Sequence, residues 1–167
     1  ELSYIKNNIR CPYGLNSMVY GGTDDYERGV YGVFPEWQEP DTKDFPVSLL
    51  RITPGYDKKT LSHRDYLGTL MSLGFERNMI GDIIIYNGSG YVFVLNDISD
   101  YVKNNLSKIS NVGVKVQDAD VDELANRKSD YTLGSIIAAS MRLDAVTAGA
   151  LGKSRSTAAA LIKGGKV

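Results

Sequence analysis

The residues best placed to do chemistry stand between Met141 and Val167. There five cations, Arg142, Lys153, Arg155, Lys163 and Lys166, accompany a single acid, Asp144. The preceding stretch, residues 117–140, carries five Asp or Glu against two Lys or Arg. A formal net charge of −1 for the 167 residues therefore hides a basic segment behind an acidic one. Leu143, Val146, Thr147, Ala150 and Leu151 form a narrow stripe that predicts a helix, and Gly152 stops it. Ser154 then caps a second helix, whose buried side holds Ala158, Leu161 and Ile162. Gly164-Gly165 ends that helix and turns the chain toward a strand at Val167. The start of the second helix offers unpaired backbone amides and the positive end of its dipole, with Lys153, Ser154 and Arg155 beside it. An Arg fork grips phosphate with two parallel hydrogen bonds, and Lys acts as a movable point charge. The chemistry this pattern suits is phosphate binding. Asp144 can brace Arg142 or another base, or it can cap the first helix, and both roles stay open.

Other chemistry finds less support. Cys11 is the only cysteine and His63 the only histidine. Together they exclude an internal disulfide and a multi-cysteine zinc site, and argue against histidine-rich metal centres, so neither metal nor cofactor is expected. The lone thiol suits a reducing cytosol, and cytoplasmic localisation is the expectation. His63, Arg64 and Asp65 cluster at a predicted helix start, but His63 has no evident second base, nucleophile or metal partner. Gly21-Gly22-Thr23 reads as a turn, because no Gly-Lys-Ser/Thr follows to make a phosphate loop. No run approaches the roughly 18 apolar residues of a membrane span. The first residues lack the basic and apolar regions of a signal peptide, and with no initial Met a preceding segment is expected. A hydrophobic content of 43% is enough for a real core.

The elements that must carry these groups follow from pattern. Residues 1–46 are rich in Gly, Tyr, Asp, Asn and Pro, with short strands near Ser17–Tyr20 and Val30–Phe34. Val47–Thr53 is a strand. Ser62, with Asp65 three residues on, caps a helix reaching about Leu73, with Tyr66, Leu67, Leu70 and Met71 on its stripe and Gly74 at its end. Asp82–Tyr86 and Tyr91–Leu95 flank a hairpin turn at Asn87-Gly88-Ser89-Gly90. A helix from Asp97 places Ile98, Tyr101, Val102, Leu106 and Ile109 on one face, and Val112–Val116 is a last strand. The order β-α-β-β-α-β is that of a ferredoxin-like domain, which alone does not give function. The Gly/aromatic signature of the common sheet-based RNA reader is not found. The reading is an α+β chain: an N-terminal mixed segment (1–46), a ferredoxin-like middle domain (47–116), an acidic linker (117–130) and a C-terminal two-helix module (131–167).

Arg142-Leu-Asp144, then Ser154-Arg-Ser-Thr-Ala-Ala159, then Leu161-Ile-Lys-Gly-Gly-Lys-Val167 resembles the αL RNA-binding motif named after ribosomal protein S-four. Leu61–Met71, Ile80-Gly-Asp-Ile-Ile-Ile85 and Tyr91-Val-Phe-Val94 resemble signature segments of the YlmH family of bacterial proteins. The resemblance covers residues 45–167 well and the first 44 loosely. It implies a non-enzymatic RNA-binding protein that engages ribosomal RNA, with tRNA, on the large ribosomal subunit carrying a stalled peptidyl-tRNA, in quality control of nascent chains. The family's gene neighbourhood adds cell-division factors as protein partners, and a monomer is expected. The RNA-binding residues implied are Arg142, Lys153, Ser154, Arg155, Lys163 and Lys166, with Arg64 as a further contact. The S-four-type motif normally continues past its Gly-x-Val strand, so an incomplete domain is expected.

Two alternatives come from the same residues. Arg142-Leu-Asp-Ala-Val-Thr-Ala-Gly-Ala-Leu151 also resembles the catalytic signature of pseudouridine synthases, where the Asp is a nucleophile. Against it, Met141 stands where a Gly is expected and Val146 where another acid is usual, and too little chain follows Asp144 to complete that catalytic domain. The other alternative is a protein-interaction module linked to cell division, favoured by the abundance of tyrosine.

Overall fold

The computed structural model describes residues 11–55, 61–127 and 134–164. It divides into two compact units, residues 1–127 and residues 128–167.

The first unit opens with an antiparallel hairpin, β1 (Leu15–Tyr20) and β2 (Val30–Pro35), in a register running from Leu15 opposite Pro35 to Tyr20 opposite Val30. Its inner face meets Phe45, whose ring lies 5.4 Å from Tyr20 and 5.7 Å, edge-on, from Phe34. The strands expected at both places are present. The main sheet has five strands, β3 (Val47–Pro54), β4 (Ile80–Tyr86), β5 (Ser89–Leu95), β6 (Lys108–Ile109) and β7 (Val112–Asp118). Their order is β4-β5-β3-β7-β6, every neighbouring pair antiparallel.

Two helices, α1 (His63–Ser72) and α2 (Asn96–Asn105), cover one face of this sheet. α1 starts where the pattern requires. Ser62 Oγ accepts from the Asp65 amide at 3.4 Å, while Asp65 Oδ2 accepts from the Ser62 amide at 2.8 Å, so two orphan donors of the first turn are met reciprocally. Gly74 follows its end at φ +93°. The buried side chains alternate along the strands, so Leu50 and Ile52 of β3 and Val92 and Val94 of β5 pack against Tyr66, Leu70, Ile98 and Val102 of the helices. The β4–β5 turn is tight, with Asn87 (φ +48°) and Gly88 (φ +75°) as its two central residues and Tyr86 paired to Ser89. Gly90 lies within β5, and a Cβ there would stand 2.3 Å from the Tyr66 ring, so only glycine lets that ring close on the sheet.

Three expectations are corrected. Ile109 does not continue the second helix: Leu106 caps it in extended geometry, and Lys108–Ile109 turns back through Ser110 (φ +53°) to pair with β7. Tyr101 and Met71 are exposed rather than core, Tyr101 resting edge-on against Phe75 at 5.4 Å. The acidic stretch expected as a linker folds onto the sheet as far as Arg127. Asp120 caps a short 3-10 turn, Val121–Leu124. Leu124, 5% exposed, packs with Leu49, Tyr91 and Phe93 on the face opposite the helices. Beside it Glu123 Oε2 accepts from Arg51 at 2.7 Å and from the Tyr91 hydroxyl at 3.1 Å, and Arg127 pairs with Asp25 of the hairpin loop. The hairpin is thus tied into the same compact unit as the main sheet. Residues 128–130, the rest of the expected linker, and 131–133, the start of the expected C-terminal module, lie outside the described residues, as does the strand expected at Val167.

The second unit consists, as described, of α3 (Leu143–Leu151) and α4 (Arg155–Lys163) with residues 134–142 leading in. No described helix is long and apolar enough to cross a membrane.

Truncating Leu124 tests this segment as a strap across the sheet, running from the end of β7 to Arg127. Leu124→Ala is expected to cost about 2–4 kcal/mol of unfolding free energy, the usual range for emptying a buried leucine site. Urea denaturation measures it, and an untethered linker would show no loss.

Candidate nucleic-acid interface

The second unit is built from small residues. Ala145, Thr147 and Ala148 of α3 and Ala158 of α4 are buried, which lets two short helices approach closely. The expected stripe is only partly right: Val146 is half-buried, while Leu143, Ala150 and Leu151 face outward. Leu161 and Ile162 are half-buried, and Ala158 is the one fully enclosed residue of α4.

The connection between the helices is set by one glycine. Gly152 sits at φ +59°, ψ +34°, the left-handed geometry that closes a helix, and the Lys153 amide donates back to the Ala148 carbonyl at 2.9 Å. Ser154 then takes extended geometry, and its Oγ accepts from the Thr157 amide at 3.2 Å. Ser156 and Thr157 hydroxyls lie 2.9 and 2.8 Å from Ser154 Oγ. The Arg155 and Ser156 amides have no acceptor within the helix, and together with the dipole they leave a donor-rich, electropositive helix start.

Asp144 resolves the choice left open by pattern. It does not cap α3, since the residue before the helix, Arg142, makes no side-chain cap. Instead it spans the two helices. Its Oδ2 accepts from Arg155 Nη2 at 2.7 Å and its Oδ1 from Arg142 Nε at 3.1 Å. The carboxylate is 22% exposed, whereas the two arginines keep 55% and 73% of their side-chain surface in solvent. The hydrogen bond from Arg155, then that from Arg142, holds the Asp144 carboxyl below the ordinary aspartate value. One acid thus fixes two guanidinium groups, and the trio keeps a net positive charge with its free donors directed outward.

Lys153 and Lys163 are exposed, Lys153 at the α3–α4 turn and Lys163 in the last turn of α4, and neither makes an ion pair among the described residues. Arg142, Lys153, Ser154 and Arg155 therefore come together, and Lys163 stands at the other end of α4. Lys166 lies outside the described residues. Arg64 belongs to the first unit, exposed on the first turn of α1 next to His63. Among the described residues no group of three or more His, Cys, Asp or Glu could hold a metal ion.

Sequence reasoning missed a second polar assembly, on the sheet face opposite α1 and α2. Arg51, Tyr91 and Glu123 form one hydrogen-bonded group there, beside an open groove of about 770 Å³ that Lys115, Gln117 and Asn87 also line. Burial is the leading influence raising the Tyr91 hydroxyl, with Glu123 adding to it, and Glu123 is itself lowered, first by the Asp120 amide.

A family model described as "Putative RNA-binding domain in YlmH" matches residues 40–123. That span begins just before β3 and ends at Glu123, one residue short of Leu124, so it takes in the main sheet and the start of the 3-10 turn. The ribosome-associated protein quality control protein P2 of Bacillus subtilis is 30% identical over 147 residues, which cover 88% of this chain and 57% of that protein. The chain thus spans a little over half the length of that relative. The solved structure of the cell division protein ylmH from Streptococcus pneumoniae shares the fold, with a TM-score of 0.55 at 24% identity over 72% of this chain and 71% of that one.

Because the Asp144 carboxyl is lowered by its two arginines, the brace persists from neutral pH down through the ordinary aspartate range and opens only as pH falls through the depressed value. Carbon-detected NMR of the Asp144 carboxyl should show that late titration, with Arg155 side-chain signals moving in step. A carboxyl titrating at the ordinary value would remove the brace.

Proposed function

The chain belongs to the YlmH RNA-binding-domain family, and on that footing we propose that it is a non-enzymatic RNA-binding protein that works on the bacterial ribosome. Residues 47–118 supply a ferredoxin-like body, and the two helices from Leu143 to Lys163 act as the core of an S-four-type (αL) module. Arg142, Lys153 and Arg155, with the hydroxyl and free amides at the start of α4, bind RNA phosphates, and Lys163, Lys166 and Arg64 add peripheral contacts. Phosphate contacts lead, so the surface reads RNA shape and position more than base identity.

The observation that carries this reading is the double grip of Asp144 on Arg142 and Arg155 next to a helix start with no acid in its first turn. Holding both forks in place lowers the entropy lost when they close on phosphate. The same grip argues against a covalent role for Asp144, since both of its oxygens accept from guanidinium groups and its carboxyl is oriented by them. The ribosome-associated quality control role named for the Bacillus subtilis relative supports the ribosomal setting. The finer part of the proposal is attachment to the large subunit holding a stalled peptidyl-tRNA, in the cytoplasm, during quality control of nascent chains.

Arg155→Ala is expected to weaken binding to ribosomal RNA by about tenfold, the effect of losing a charge-assisted contact of ~1.5 kcal/mol, with the chain still folded by circular dichroism. Affinity of the wild-type chain should fall by roughly 0.7–0.9 log units per phosphate contact for each log unit of salt. Co-sedimentation with purified ribosomes reads both. Equal co-sedimentation after Arg142, Lys153 and Arg155 are all neutralised would sink the assigned surface. A modified uridine that appears with the wild type and disappears with Asp144→Ala would favour the synthase instead.

A further inference from the structure

A hollow of about 480 Å³ lies between the β1–β2 hairpin and the edge of the main sheet. Its volume falls in the range of about 300–1,000 Å³ typical of small-ligand sites. Tyr20 and Phe93 give it an apolar wall, and Arg28 from the hairpin loop meets Arg77 and Asn78 from the turn before β4. Both arginines are half-buried. Arg28 Nη2 donates to the Arg77 carbonyl at 3.5 Å, and Arg77 Nη1 donates to the Ile80 carbonyl, so the two guanidinium groups are held near one another by backbone acceptors. Neither makes an ion pair with a carboxylate among the described residues. Asp82, the acid whose field reaches Arg77, accepts from the Glu27 amide at 2.7 Å. Burial draws the Arg77 guanidinium down from its ordinary value and the charge of Arg28 adds to that pull, with Asp82 opposing. β4 breaks register between Ile80 and Ile83, which places Gly81, on the wall of the hollow, at an irregularity in the ladder.

Two like charges brought together in a partly desolvated hollow repel, and the arrangement is relieved when an anion bridges them. Two Arg forks match the paired oxygens of a phosphate. We propose that Arg28 and Arg77 form a phosphate site in the first unit, and that it takes one backbone phosphate of an RNA strand. The proposal deepens the RNA-binding reading above and rests on it for the identity of the ligand. It also gives the N-terminal hairpin, which lies wholly outside the matched span 40–123, a part in binding.

The test uses the whole chain and two probes, a fluorescently labelled oligouridylate followed by anisotropy and inorganic phosphate followed by thermal midpoint. Arg28→Gln should weaken the oligonucleotide by roughly tenfold, as expected for one lost charge-assisted contact, and reduce the log–log salt slope by about 0.7, one phosphate on a single strand. Arg77→Lys, which keeps the charge and loses the fork, should weaken it less. Inorganic phosphate should raise the wild-type midpoint above that in chloride of equal ionic strength, and should not raise it for Arg28→Gln. The same fold-loss should appear when Arg142, Lys153 and Arg155 are already neutralised, because the two sites belong to different compact units and share no partner residue. If that triple change leaves binding intact while Arg28→Gln removes it, the C-terminal reading fails and the hollow stands. Unchanged affinity, slope and phosphate response in both Arg28→Gln and Arg77→Lys overturns the proposal. A phosphate response with no effect on the oligonucleotide overturns the strand as ligand and assigns the hollow to a free phosphate compound.

Discussion

A central strand with apolar side chains on both faces must be covered on both faces, and β5 sets that demand here. Val92 and Val94 point to the helices, while Tyr91 and Phe93 point the other way and are equally enclosed. Helices α1 and α2 can serve only the first face. The second is closed by two pieces of chain that have little helix or sheet to offer of their own, the loop at Gly21-Gly22 and the turn carrying Leu124. Gly22, at φ +99°, lies so close to the Phe93 ring that a Cβ would stand 2.0 Å from it. Covering Phe93 therefore draws the N-terminal hairpin to the sheet, and covering Tyr91 and Leu49 draws the acidic segment back across it. Arg51 and Glu123 then meet at 2.7 Å as a polar border to that apolar contact. Such a partly exposed pair adds less stability than the leucine beside it.

The second unit answers a different constraint. Each of its helices has nine residues, below the length at which isolated helices hold in water. Its buried residues are mostly alanine, so area buried per residue is small. Geometry compensates: a left-handed glycine, a serine cap and an acid bridging two arginines each fix a joint that a larger core would fix by packing. Those joints also order the groups offered to a ligand, so the means of holding the unit together and the means of presenting charge are the same atoms.

Legibility in the sequence followed the reach of each signal. The capping box at Ser62 and Asp65, the Asn87-Gly88 turn, and the Gly152-Lys153-Ser154 break were readable because each is complete within a few residues. The gathering of Arg142, Lys153 and Arg155 followed from that break. The short β6 was not readable, because Ile109 keeps the helical spacing and its turn uses Ser110 where a glycine would have given warning. Leu124 was missed because Val121 and Leu124, two large apolar residues among acids, are too few to set a period. Contacts across long separations left no local trace at all. Arg51 and Glu123 are 72 positions apart and Arg28 and Arg77 are 49 apart, and only the closed sheet shows that they meet.

The borders of the five-stranded sheet carry a consequence for how the molecule behaves in a crowded solution. At one side β6 is two residues long, and at the other β4 loses its ladder between Ile80 and Ile83. A two-residue border strand and a broken ladder are both devices that discourage another polypeptide from extending a sheet. The cover is uneven, because β6 pairs only with Val112 and Gly113 and leaves the far half of β7 without a neighbouring strand on that side among the described residues. A peptide adding itself to this sheet would therefore meet its most regular border along Val114–Asp118.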